Sequence, residues 1–69
     1  MDDDRRETAR RLFVACAATI EMAHDQAARG QHPRLDAKQA SLSSRNIVEL
    51  ADRIRTLAEA AGVVAGEKD

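Results

Sequence analysis

The sequence predicts an all-α fold: two amphipathic helices, spanning about residues 4–29 and 37–61, joined by a loop around Pro33. Two long stretches are rich in alanine, leucine, arginine, glutamate and glutamine, which favour helix. Proline and glycine fall between these stretches or near the C-terminus. No segment alternates apolar and polar residues with the period of two expected for a strand. Helices of similar length suit an antiparallel hairpin.

The first helix is predicted to begin near Asp4 and to end at Arg29. Asp4 with Glu7 resembles a capping box. Gly30 is expected to follow the helix end, and Pro33 prevents continuation. Apolar residues recur at alternating steps of four and three, which is the spacing of the core positions of a heptad. This predicted seam consists of Ala9, Phe13, Cys16, Ile20, Ala23 and Ala27.

The second helix is predicted to end before Gly62. Its apolar seam consists of Ile47, Leu50, Ile54, Leu57 and Ala61. Its start is ambiguous, because Asp36 can cap a helix that begins near residue 37, whereas Ser43 or Ser44 can cap one that begins near residue 44. We favour the early start, since it matches the two helix lengths. Leu42 then lies off the seam.

A chain of 69 residues forms at most one domain, here residues 1–69, with frayed tails expected at 1–3 and 63–69. Chains of this length are marginally stable alone, and a single cysteine excludes a disulfide within the chain. We therefore expect a homodimer that closes a four-helix bundle, or a protein partner that completes the core. The residues assigned to self-association are Phe13, Cys16, Ile20, Ile47, Leu50, Ile54 and Leu57.

Composition argues against several classes of function. The net charge is −1 and aromatic residues make up 1% of the chain, so neither broad electrostatic binding to nucleic acid nor base stacking is favoured. No apolar run approaches the ~20 residues of a membrane span, and the acidic N-terminus lacks the basic start of a signal peptide. With one cysteine at an apolar helical position, a cytoplasmic protein is expected.

Two clusters suggest alternative functions. Glu21 and His24 have the Glu-x-x-His spacing that ferritin-like di-metal bundles use. However, neither residue lies squarely on the predicted seam, so no metal or other cofactor is expected. Arginines near the start of the first helix could bind phosphate in a DNA-binding regulator. The cluster is Arg5, Arg6, Arg10 and Arg11, and acidic residues lie between and before its members.

The segment around the loop mixes polar side chains with leucines that do not fit the seams. Such a surface is typical of a recognition tip, although the leucines could instead plug the end of the bundle. The predicted partner-binding residues are His32, Arg34, Leu35, Leu42 and Arg45. No nucleophile with a base and no glycine-rich phosphate loop is present. The sequence predicts a non-enzymatic protein-interaction module, such as a dimeric adaptor, regulator or inhibitor of phage or plasmid type.

Overall fold

A computed structural model describes residues 1–66 as two helices, α1 (Asp3–Arg29) and α2 (Ala37–Val64), that pack against each other. Two hydrogen bonds define their antiparallel arrangement. Arg5 Nε donates to the Val64 carbonyl oxygen at 2.9 Å, and Asn46 Nδ2 donates to Gln26 Oε1 at 3.4 Å. The start of α1 therefore lies beside the end of α2, which confirms the predicted hairpin. In the described part of the chain, neither helix could span a membrane.

The start of α2 confirms the earlier of the two predicted starts. Asp36 is the N-cap, and its carboxylate accepts a hydrogen bond from the Gln39 backbone N–H at 2.8 Å. This bond satisfies one of the unpaired amide groups of the first helical turn. The helix continues without interruption through Ser43 and Ser44. Leu42 therefore lies on a different face of a regular helix.

Two boundary predictions were wrong in detail. Asp2, rather than Asp4, caps α1 by accepting from the Arg5 backbone N–H at 2.8 Å. The second helix does not end at Ala61 but continues to Val64, since a single glycine weakens a helix without breaking it. Gly30 follows α1 as predicted, but in the right-handed conformation. The only positive φ in residues 1–66 is at Gly66. Residues 67–69 of the predicted tail lie outside the described residues.

The hairpin core is small. In α1 the buried residues are Ala9, Cys16 and Thr19, and in α2 they are Leu50 and Ala61. Leu50 is thus the only large apolar side chain buried within residues 1–66. A compact 7.5 kDa protein exposes about 4,200 Å² by the scaling of surface with mass, whereas this chain exposes 5534 Å². Much apolar surface therefore remains in contact with solvent.

The predicted seam of α2 faces α1, but the predicted seam of α1 is wrong at every second position. Phe13, Ile20 and Ala27 are exposed. The interior positions that they were expected to fill belong to the residues that precede them. These are Leu12 and Gln26, which are half-buried, and Thr19, which is buried. α1 is therefore rotated by part of a turn relative to the prediction.

Candidate interaction surfaces

One broad side of the hairpin carries exposed apolar residues from both helices, and we call it the apolar face. From α1 it includes Phe13, Ile20 and Ala27, which occupy one heptad position beside the core. Near the loop, Ala27 lines a shallow, mostly apolar groove together with Ile47 and Val48 of α2. The groove shows that this flank of α1 and this flank of α2 lie on the same side of the molecule.

The apolar face extends along the hairpin away from that groove. The antiparallel alignment brings Phe13 level with the part of α2 around Ala58, and Ile20 level with the part around Ala51. Both alanines occupy the heptad position next to the α2 core, and both are exposed. Phe13 is 58% exposed and Ile20 is 50% exposed. Two of the largest apolar side chains of α1 thus lie outside the hairpin core, next to small residues.

The other broad side of the hairpin carries charged residues of both helices. A groove there is lined by Met22 of α1 and by charged residues of both helices, including Glu21, Asp25, Glu49 and Arg53. The bond between Gln26 and Asn46 lies along the same groove. Within residues 1–66 the two sides of the hairpin therefore differ: Phe13 and Ile20 lie near exposed alanines on one side, whereas Met22 lies among charged residues on the other.

The predicted self-association residues fall into three groups. Cys16 and Leu50 are buried between the two helices, so they stabilise the hairpin itself. Phe13 and Ile20 lie on the apolar face. The third group is partly buried and consists of three residues of α2, Ile47, Ile54 and Leu57. Val48, which is 58% exposed, was not among the predicted self-association residues; the groove that it shares with Ile47 is formed only when the helices pack.

The loop end of the hairpin contains an open cleft, which brings together four of the five predicted partner-binding residues. His32, Arg34, Leu35 and Leu42 all line it. The Arg34 backbone N–H donates to His32 Nδ1 at 3.0 Å, and the Leu35 backbone N–H donates to the His32 carbonyl oxygen at 3.0 Å. These bonds order the loop. Arg45, the fifth predicted residue, is exposed but does not line the cleft.

The two leucines of the cleft have different environments. Leu35 is half-buried, in keeping with a partial role in closing the end of the hairpin. Leu42 is 45% exposed although it belongs to a regular helix. Because Leu42 lies off the core seam of α2, the fold does not require a leucine at this position. Its apolar surface is available to a partner.

The arginine cluster of α1 is engaged by neighbouring groups. Arg10 forms an ion pair with Glu7 at 2.8 Å, and Arg11 pairs with the same carboxylate at 3.2 Å. The hydrogen bond and the charge of Arg10, with smaller effects of Arg11, lower the pKa of Glu7 below 4.5. Arg6 lies 3.9 Å from Asp3, and Arg5 bonds to Val64. This arrangement resembles a solvated helix face more than a phosphate site.

The candidate metal residues are exposed, and the described structure does not gather a ligand set around them. Glu21 and His24 are one turn apart on the outer side of α1. Across residues 1–66, no three histidine, cysteine or carboxylate groups lie close enough together to hold a metal ion.

Compared with protein-family models, curated proteins and solved structures, the chain matches none of them.

Proposed function

We propose that this chain is a non-enzymatic helical interaction module that self-associates through its apolar face and binds another protein. Two hairpins pack their apolar faces together and form a four-helix bundle, as four-helix proteins commonly do. In a two-fold dimer, Phe13 and Ile20 of each copy contact the same surface of the other copy. The lone buried Cys16 fits the reducing cytoplasm that we propose as its compartment.

The observation that carries this proposal is that Phe13 and Ile20, two large apolar side chains, remain exposed on the apolar face. The chain exposes about 1,300 Å² more than a compact protein of its mass. A standard protein interface buries about 800 Å² of each partner. The broad side of the hairpin measures 51 by 20 Å, which offers sufficient area. A second copy supplies a complementary surface, because alanines lie beside the large side chains.

Sedimentation equilibrium over a range of protein concentrations tests the proposal. We expect a reversible dimer in the wild type, with thermal stability that rises with concentration because association stabilises the folded state. Ile20→Glu places a charge in the dimer interface and should raise the dissociation constant at least about a hundredfold. A wild-type chain that remains monomeric at all concentrations, with a constant melting temperature, contradicts the proposal.

Val14→Glu provides a matched control. Val14 is 66% exposed on the outward side of the same helix, next to Phe13 in sequence but about 100° away around the helix axis. The substitution makes the same change from a β-branched apolar residue to glutamate. We expect Val14→Glu to dimerise like the wild type. Equal weakening by both substitutions would show that self-association does not use the apolar face.

A further inference from the structure

The cleft at the loop end is lined by both apolar and positively charged side chains. Leu35 and Leu42 supply the apolar surface, whereas Arg29, His32 and Arg34 supply hydrogen-bond donors. None of the described residues that line the cleft is acidic. Arg29 is paired with Asp25 at 3.2 Å. Within residues 1–66, Arg34 has no ion-pair partner, so its guanidinium is available to an incoming carboxylate.

Charge is distributed unevenly along the hairpin. Residues 29–45, which form the loop end, contain four basic residues and one acidic residue, so their net charge is +3. The whole chain has a net charge of −1, which leaves −4 on the remaining residues. The one acidic residue, Asp36, uses its carboxylate to cap α2. The loop end is therefore a positive region on a molecule that is otherwise negative.

We infer that the loop-end cleft binds an acidic peptide segment that carries aliphatic side chains, and this inference rests on the proposed interaction function. The aliphatic side chains of the peptide pack on Leu35 and Leu42. Its carboxylates pair with the Arg34 guanidinium, where a planar fork of donors suits a carboxylate. Charge complementarity makes association faster and excludes basic partners.

A peptide fits this cleft better than nucleic acid does. Leu42 and the accessible part of Leu35 add apolar area that a phosphate backbone cannot use, and contacts to phosphate dominate the affinity for nucleic acid. The described cleft also has no aromatic side chain on which a base could stack. Leu35 and Leu42 line the same cleft as Arg34, which suits a peptide segment in which acidic and aliphatic residues alternate.

Fluorescence anisotropy with the whole 69-residue chain at a fixed protein concentration tests the inference. The probe is a short labelled peptide of glutamates interrupted by leucines. Two control peptides replace the leucines with serines or the glutamates with glutamines, and a labelled DNA duplex of the same net charge is the competing ligand. We expect saturable binding of the first peptide, weaker binding of both controls, and affinity that falls with added salt because screening weakens exposed ion pairs.

Two pairs of variants locate the binding site. Arg34→Gln should weaken peptide binding by up to about fivefold, the usual effect of losing one exposed ion pair. Arg11→Gln removes the same charge at the opposite end and should have no effect. Leu42→Ser should weaken binding by about tenfold, because half-exposed apolar surface is lost. Val63→Ser, at an exposed helical position far from the loop, is its control.

The outcomes separate this inference from the proposed function. A dimer that binds none of the peptides, or that binds all of them equally, overturns the acidic-peptide inference and leaves the self-association proposal intact. Tighter binding of the DNA duplex than of the peptide also overturns it. A chain that binds the peptide through Arg34 and Leu42 but stays monomeric supports the cleft and contradicts the dimer.

Discussion

The Arg5 guanidinium joins the start of α1 to the end of α2, because its Nε–H donates to the Val64 carbonyl oxygen at 2.9 Å. Val64 is the last residue of α2, and its carbonyl is one of those left unpaired at a helix C-terminus. The positive charge also interacts favourably with the negative end of the helix dipole. A Cβ atom added at Gly66 would collide with the same guanidinium, so Gly66 allows this close approach.

Arg5→Ala should lower the free energy of unfolding by about 0.5–1.5 kcal/mol, because it removes both the hydrogen bond and the favourable charge. Urea denaturation at a fixed protein concentration measures the change. Arg6→Ala is the matched control, since the ion pair that Arg6 makes with Asp3 is long and exposed and should contribute close to zero. Equal effects of the two substitutions would show that the bond to Val64 does not stabilise the hairpin.

Asp36→Ala should destabilise the protein by about 1 kcal/mol through loss of the α2 N-cap. Asp36→Asn keeps an oxygen that can accept the bond from the Gln39 N–H and should retain most of the stability. Urea denaturation compares the two variants, and helical circular dichroism shows whether the first turn of α2 frays. If Asp36→Ala and Asp36→Asn had the same free energy of unfolding, the capping bond would be energetically unimportant.

Thr19→Val should leave the protein equally stable or raise its stability by up to about 1 kcal/mol. Thr19 is buried, and its Oγ1 donates to the Ala15 carbonyl oxygen at 2.8 Å, a bond within its own helix. Valine keeps the shape without burying a hydroxyl. Thr56 makes the equivalent bond to Asp52 at an exposed position, so Thr56→Val controls for the hydroxyl itself. Strong destabilisation by Thr19→Val alone would give the hydroxyl a role between the helices.

The lowered pKa of Glu7 predicts a small loss of stability in acid. A carboxylate whose pKa is lowered in the folded state stabilises the fold above its usual pKa of 4.5, and this contribution disappears as the pH falls through the lowered value. Because Glu7 is exposed, solvent screening keeps the effect small. Denaturation between neutral pH and pH below 4.5 measures it. Glu7→Gln should flatten the profile in that range.

The helices and their antiparallel packing could be predicted because they depend on local signals. The carboxylate of Asp36, the proline at position 33 and the long helix-forming stretches act within a few residues of their own position. The seam of α2 was also predictable, since its branched aliphatic residues form a single stripe. The helix ends were predicted less accurately, because Gly62 is tolerated within α2 and the helix ends at Val64, near Gly66.

The seam of α1 could not be predicted from apolar content. Two adjacent stripes compete, and the one that contains Phe13 and Ile20 is more apolar than the one that contains Thr19 and Gln26. In the structure the second stripe faces α2, and it shares the small residues Ala9, Cys16 and Ala23 with the first. Its polar groups are satisfied by the Ala15 carbonyl and by Asn46. A polar residue that gains its partner only when the helices pack, as Gln26 does with Asn46, cannot be recognised as an interior residue from one helix alone.

The burial of Cys16 makes the only thiol of the chain a built-in reporter of hairpin opening. Its side chain is 8% exposed, so an alkylating reagent reaches the sulfur only when the two helices separate. The alkylation rate at low reagent therefore reports the equilibrium population of separated helices without any added label. If the apolar face holds two copies together, dilution should make the thiol react faster, and Ile20→Glu should make it react quickly at every concentration.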